Sequence, residues 1–174
     1  MHILKRILLI VPFFIFSCTH ANPHKWTRTN PGGGGAIAMV GATPSGVILA
    51  ASDLSGVYRS KDKGKSWDVL GASNGLLDTH INALGFHTKN SNIFFMGTGH
   101  GLYRTENGGK TIKQAKLETR DTAAKTSKPG GYIESIAMAF DKPSVGYLAH
   151  YEYWLPELTF MKTTDAGKHW NPVF

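Results

Sequence analysis

From Ala36 onward, short apolar runs alternate with clusters of Gly, Pro, Asn, Asp and Ser, and no window beyond a turn or two repeats apolar residues at helical spacing. The runs are rich in Val, Ile, Leu, Tyr and Phe, the residues that suit a pleated, half-buried surface. They predict strands at Ala36–Val40, Val47–Ala51, Gly56–Arg59 and Trp67–Leu70. A second set falls at Ile81–Phe86, Ile93–Gly97, Leu102–Arg104 and Thr111–Lys116, and a third at Tyr132–Phe140, Gly146–Tyr153, Leu158–Lys162 and Trp170–Phe174. Four short strands per unit, repeated three times, predict an all-β chain of four-stranded antiparallel meanders. That is the pattern of β-propeller blades, spanning about 36–70, 81–117 and 132–174. The polar stretch Leu117–Gly131 has no apolar period and reads as a surface loop.

One motif punctuates each unit between its third and fourth strands. Ser60-Lys61-Asp62-Lys63-Gly64-Lys65-Ser66-Trp67 recurs as Thr105-Glu106-Asn107-Gly108-Gly109-Lys110-Thr111-Ile112 and as Thr163-Thr164-Asp165-Ala166-Gly167-Lys168-His169-Trp170. The common pattern is Ser/Thr, then Asp/Asn two residues on, Gly at the fifth position, and Trp or Ile at the eighth. Asp62, Asn107 and Asp165 can bond the backbone two residues on, and Gly64, Gly109 and Gly167 supply the positive φ that closes a turn. Trp67, Ile112 and Trp170 then open the return strand and pack beneath it.

This motif resembles the Asp-box, or BNR repeat, of sialidases, sortilin-type receptors and many propeller glycoside hydrolases. The resemblance implies a structural turn, held by Ser60, Asp62, Thr105, Asn107, Thr163 and Asp165, and no active site. In a meander, the connections from second to third strand leave the end opposite these turns. They are Ser52-Asp53-Leu54-Ser55, Thr98-Gly99-His100 and Trp154-Leu155-Pro156-Glu157, so Asp53, His100, Trp154 and Glu157 are expected on one side. Asp53 there reads either as a turn cap or as a functional carboxylate. Tyr151, Tyr153 and Trp154 are candidates to stack on sugar rings, or they fill the space between sheets.

A second resemblance covers the opening of the chain. Lys25-Trp26, the glycines Gly32–Gly35, and Ala51-Ser52-Asp53-Leu54-Ser55-Gly56-Val57-Tyr58-Arg59-Ser60 are similar to the first blade of xyloglucanase-type glycoside hydrolases of family 74. Those enzymes carry Thr-Asp-(Val/Ile)-Gly-Gly-(Ala/Leu)-Tyr-Arg, and Ser52 and Ser55 depart from that pattern. The resemblance implies that Asp53 matches the catalytic base of an inverting mechanism acting on β-glucans. Such hydrolysis also needs a general acid about 6.5–9.5 Å away. In the family that acid comes from a second propeller, so no residue here inherits the role; Glu152 and Glu157 have no motif behind them. The implied partner is a polysaccharide, and the implied function is carbohydrate-active but inactive in isolation. The competing class is a non-catalytic repeat module that binds or assembles other proteins. Three blades cannot close a ring, which needs at least four. This predicts either the start of a longer or interrupted protein, or an open module that pairs with another chain.

Residues 1–21 alter the compartment. Met1–Arg6 is basic, and Ile7–Phe16 is apolar apart from Pro12, too short to span a bilayer, which predicts a secretory signal. Cleavage after Ala21, following Thr19-His20-Ala21, competes with a lipobox reading of Ile15-Phe16-Ser17-Cys18, in which Cys18 becomes the lipidated first residue. Both predict a secreted or periplasmic chain, with its partial propeller at 22–174, that meets a membrane only through the signal or a lipid. Cys18 is the single cysteine, which excludes an intrachain disulfide and any multi-cysteine metal site. No metal or cofactor is expected. The glycine pattern Gly33-x-Gly35-x-x-Ala38 lacks the strand before and the helix after that a dinucleotide fingerprint requires. The net charge of +7 falls to +5 without Lys5 and Arg6, and its lysines are scattered through turns with no basic helix, so nucleic acid is not an expected partner.

Overall fold

The computed structural model describes residues 27–118, 131–151 and 158–173. The signal segment with Cys18, and the candidates Glu152, Tyr153, Trp154 and Glu157, lie outside them. Three antiparallel meanders follow one another. Sheet one has β1 (Ile37–Ala42), β2 (Ile48–Ser52), β3 (Val57–Ser60) and β4 (Asp68–Leu70) in sequential order. Sheet two has β5 (Ile81–Phe86), β6 (Phe94–Thr98), β7 (Gly101–Thr105) and β8 (Lys113–Gln114). Sheet three has β10 (Tyr132–Met138), β11 (Gly146–Tyr151), β12 (Leu158–Thr163) and β13 (His169–Pro172). A single 3₁₀ turn, Ala72–Asn74, is the helical element among the described residues.

One predicted strand is corrected. Thr111–Lys116 does not form one fourth strand: β8 stays on sheet two, while β9 (Lys116–Leu117) crosses and pairs in parallel with His169 and Trp170 of β13. Sheet three therefore has five strands. Ala115 separates the pieces: its N–H donates to the Leu102 carbonyl of β7, and it packs against the core between sheets two and three.

The inner strands β1, β5 and β10 lie side by side, and each sheet packs its face on the next. Between sheets one and two are Leu49, Ala51, Val57 and Leu70, meeting Phe94, Met96, Tyr103 and Ile112. Between two and three, Ala83, Phe95 and Leu102 meet Ile133, Leu148, Met161 and Trp170. Alternation explains the split: Phe94 and Met96 face back, and Phe95 between them faces forward.

The three repeat turns share one hydrogen-bond scheme. The first-position hydroxyl accepts the fifth-position N–H: Gly64 to Ser60 (2.8 Å), Gly109 to Thr105 (3.0 Å) and Gly167 to Thr163 (2.9 Å). The third-position side chain accepts the seventh-position N–H: Ser66 to Asp62 (2.9 Å), Thr111 to Asn107 (2.9 Å) and His169 to Asp165 (3.0 Å). Positions four and five are left-handed throughout, including the non-glycine residues Lys63 (φ 61°) and Ala166 (φ 58°). At the eighth position, Trp170 is 0% exposed and Ile112 4%, each against the sheet before it. Trp67, on the leading face of sheet one, is half-buried and donates its indole N–H to Thr29 (3.1 Å) and the Gly64 carbonyl.

The turns carry a pH signature. The Ser66 hydroxyl (2.6 Å) and backbone N–H hold the Asp62 pKa at about 2, below its ordinary 3.8. At Asp165, burial opposes ionisation, but the His169 backbone and ring and the Thr163 hydroxyl outweigh it and keep the carboxyl well below the usual range. Since both folded-state values are depressed, their stabilisation is present above the ordinary carboxylate pKa and is lost as pH falls from about 4 towards 2. Asn107 performs the same role without titrating. Asp62→Asn should therefore leave the melting temperature near neutrality almost unchanged and shallow its decline between pH 4 and 2. Melts across that range check this, and an acid limb as steep as in the parent chain would place the titration elsewhere.

Candidate functional site

The β2–β3 and β6–β7 connections leave the sheets at the end opposite the repeat turns, as antiparallel pairing requires. In the first connection Ser52 is fully buried, and its hydroxyl accepts the N–H groups of Leu54 and Ser55, both at 3.1 Å. The turn is thus capped by Ser52 and not by Asp53. Asp53 reaches sideways: its Oδ1 accepts the Ala36 N–H at 2.8 Å, and its own N–H donates to the Ala36 carbonyl. Its other carboxylate oxygen carries no hydrogen bond among the described residues, and the side chain is half-exposed.

The glycine run before Ala36 packs closely here. Ser52 and Ser55 both donate to the Gly34 carbonyl, at 3.2 and 2.8 Å. At Gly33 (φ 78°) a Cβ would overlap the Tyr58 hydroxyl, so the backbone can lie on Tyr58 only without a side chain. The two serines that depart from the family 74 pattern are thus the groups that tie this run to the Asp53 loop.

Asp53 has no counterpart elsewhere in the repeat. Strand register places Ser52 opposite Ile37, Thr98 opposite Ile81 and His150 opposite Ile133, and all three are buried. The next residues are Asp53, Gly99 and Tyr151. Features the fold needs recur in every unit, as the turn hydroxyls do, whereas this carboxylate occurs once.

His100, expected on the same side as Asp53, is partnered by Asp78, with Nδ1 to Oδ2 at 2.9 Å. Burial disfavours the Asp78 carboxylate, but hydrogen bonds from His100, the His80 N–H and Thr98 outweigh it and hold its pKa below the usual value. Burial likewise raises the Tyr103 phenol, with the Asp78 charge adding to it. The segment bearing Asp78 is stitched to the first loop: Thr79 donates to the Leu54 carbonyl (3.0 Å) and accepts the Gly56 N–H (3.0 Å). Asp78 sits in a linker without strand pattern, so sequence offered no signal for it. Tyr151, at the end of β11, is exposed. Among the described residues no group of three His, Cys, Asp or Glu could hold a metal ion.

A groove of about 320 Å³ lies at the other end, between sheets one and two, lined by Arg59, Lys61, Glu106 and Lys110 among others. It surrounds a structural contact: Arg59 bonds Asp68 and the Gly108 carbonyl, and is 7% exposed. The groove thus adjoins a saturated guanidinium, while the unengaged carboxylate oxygen is at the loop end.

Three meanders stacked face to face, with inner strands adjacent and connections gathered at two ends, define a set of β-propeller blades. No protein-family model matches the chain, and no curated protein matches it. Solved structures do. An ancestral GH74 enzyme aligns with a TM-score of 0.66 at 26% identity, covering 85% of this chain and 19% of the enzyme. The GH74 xyloglucanase from Xanthomonas campestris aligns at 0.59 and 20% identity, over 85% of this chain and 22% of that one. YCF48 bound to D1 peptide aligns at 0.51 and 16% identity, over 78% of this chain and 41% of its own. The fold is thus that of propeller blades similar to those of GH74 enzymes, and the chain spans about a fifth of their length.

Proposed function

We propose that this chain is the base-bearing opening lobe of a carbohydrate-active propeller of the inverting, xyloglucan-cleaving type, exported through residues 1–21 and inactive by itself. The observation that carries this reading is Asp53: a single, non-repeated carboxylate at the loop end, within blades 26% identical to an ancestral GH74 enzyme. Its Oδ1 is anchored by Ala36, so its orientation is fixed, and the second oxygen is left to accept a proton from water. The Asp78–His100 pair on the adjoining loop supplies a hydrogen-bonding group for a sugar hydroxyl. The repeat turns, read as Asp-boxes, keep their structural role at the far end.

Calorimetry of the purified chain with xyloglucan oligosaccharides tests the proposal. Saturable binding is expected, weakened about tenfold by Asp53→Ala, which removes a hydrogen bond to a charged group. Reducing-sugar assays should show no turnover, because a base without an acid loses orders of magnitude in rate. Absence of binding would refute the glycan reading, and turnover would refute inactivity in isolation. A second reading, a non-catalytic binding module outside the cytoplasm, is favoured by the Ala36 bond, which gives Asp53 an anchoring role. On that reading Asp53→Ala lowers the melting temperature and no glycan binds.

A further inference from the structure

The two sheet interfaces are built alike at the repeat-turn end, but they differ in charge. Arg59 donates to the carbonyl of Gly108, the fourth position of the second repeat turn, and Arg104 donates to Ala166, the same position of the third, at 3.1 Å. At each interface the second residue of one turn faces the sixth residue of the next. Between sheets two and three these are Glu106 and Lys168, which carry opposite charges. The hydrogen bond from Arg104 holds the Glu106 carboxyl below its ordinary pKa, and the Lys168 and Lys113 charges add to it. Between sheets one and two the same positions are Lys61 and Lys110, and both line the groove of about 320 Å³.

Like charges across one groove repel each other until a counter-ion lies between them. Among the described residues, the side chains of Lys61 and Lys110 make no hydrogen bond or ion pair. The carboxylates around them are engaged by other groups. Asp68 is bonded by Arg59 (3.0 Å), Asp62 by Ser60 and Ser66, and Glu106, which also lines the groove, by Arg104 (2.5 Å). Two neutral donors in the lining lack acceptors as well. Ser91 Oγ accepts the Ser45 N–H at 2.8 Å, which leaves its O–H to donate. Asn92 Nδ2 has no acceptor among the described residues.

We propose that this groove is a binding site for a phosphate monoester. Such a group carries about −1.5 to −2 charge at pH 7 and three strong acceptor oxygens. It therefore matches both ammoniums, the Ser91 hydroxyl and the Asn92 amide together, whereas a carboxylate leaves one ammonium without a counter-charge. Lysine suits this part because it meets phosphate as a point charge. The groove has more room than a bare phosphate fills, and Val47 and Phe94 give it an apolar wall, so the carrier of the phosphate is accommodated too. The site lies at the end of the sheets opposite Asp53 and is independent of any glycan bound there.

Melting temperatures and calorimetry of the purified chain at constant ionic strength test the site. Inorganic phosphate, glucose 6-phosphate and vesicles containing phosphatidic acid separate a free ion, a phosphorylated sugar and a lipid headgroup. At least one should bind saturably and raise the melting temperature by several degrees, and the tightest identifies the carrier. Acetate should have no such effect. Lys61→Glu gives the first interface the charge pair of the second, so this variant should melt no lower than the parent without ligand. Its affinity for the phosphate probe should fall about tenfold or more, the loss expected for a hydrogen bond between charged groups. Lys110→Gln should weaken binding in the same direction. The proposal is overturned if none of the three probes binds, if acetate acts as strongly as phosphate, or if Lys61→Glu keeps the parent affinity.

Discussion

Trp170→Ala is expected to cost about 3–5 kcal/mol of unfolding free energy, the range for removing a fully buried large aromatic. Trp170 is 0% exposed, meets Phe95 edge-on at a centroid distance of 6.0 Å, and donates its indole N–H to the Gly167 carbonyl at 3.2 Å. Its backbone pairs with Leu117 of β9, and its carbonyl accepts the Glu118 N–H. The substitution therefore opens a cavity where sheet two, sheet three and the crossing strand meet. Trp67 is the internal control: it has the same motif position and the same bond to its fifth-position carbonyl, but it is half-buried, with Thr29 accepting its indole N–H. Trp67→Ala should cost about 1–2 kcal/mol. Urea midpoints of the two variants decide the matter. Equal losses would mean that the motif, and not burial between sheets, sets the value of this position.

The second large effect concerns Asp53 in the presence of a partner acid. In a GH74 enzyme rebuilt with residues 27–173 in place of its opening blades, Asp53→Asn should reduce kcat by about 10²-fold or more with little change in KM. The carboxamide keeps the size, and its oxygen can still accept the Ala36 N–H, so the loop stays in place. What it loses is the capacity to accept a proton from water. His100→Ala should act differently, raising KM with kcat nearly kept, since His100 is tied to Asp78 and its proposed part is binding. A reduction of kcat below tenfold for Asp53→Asn, with a lower melting temperature, would show that Asp53 anchors the glycine run and does no chemistry.

Much of the strand pattern was readable before any coordinates. Ile81–Phe86 is found with the predicted ends, and most other strands lie within one or two residues of prediction. The exception at Thr111–Lys116 is instructive. Its residues alternate as one strand would, yet the choice between continuing on sheet two and crossing to sheet three depends on whether the neighbouring Trp170 edge is free, and that edge is more than fifty residues away. The role of the glycine run was hidden for a related reason. Four glycines in a row carry no side chains to reveal a packing partner, and the reason for them, close approach to Tyr58 and the Asp53 loop, exists only once both are folded.

The turn chemistry, the alternation of faces and the placing of Asp53 and His100 on one end of the meanders were determined by sequence alone, because each depends on residues within a few positions of one another. Tertiary structure decided what these residues touch. Asp53 holds Ala36, and His100 pairs with Asp78, because segments 17 and 22 residues away in the chain arrive beside them. The two arginines read locally as strand residues; only stacking brings the carbonyls of Gly108 and Ala166 within their reach.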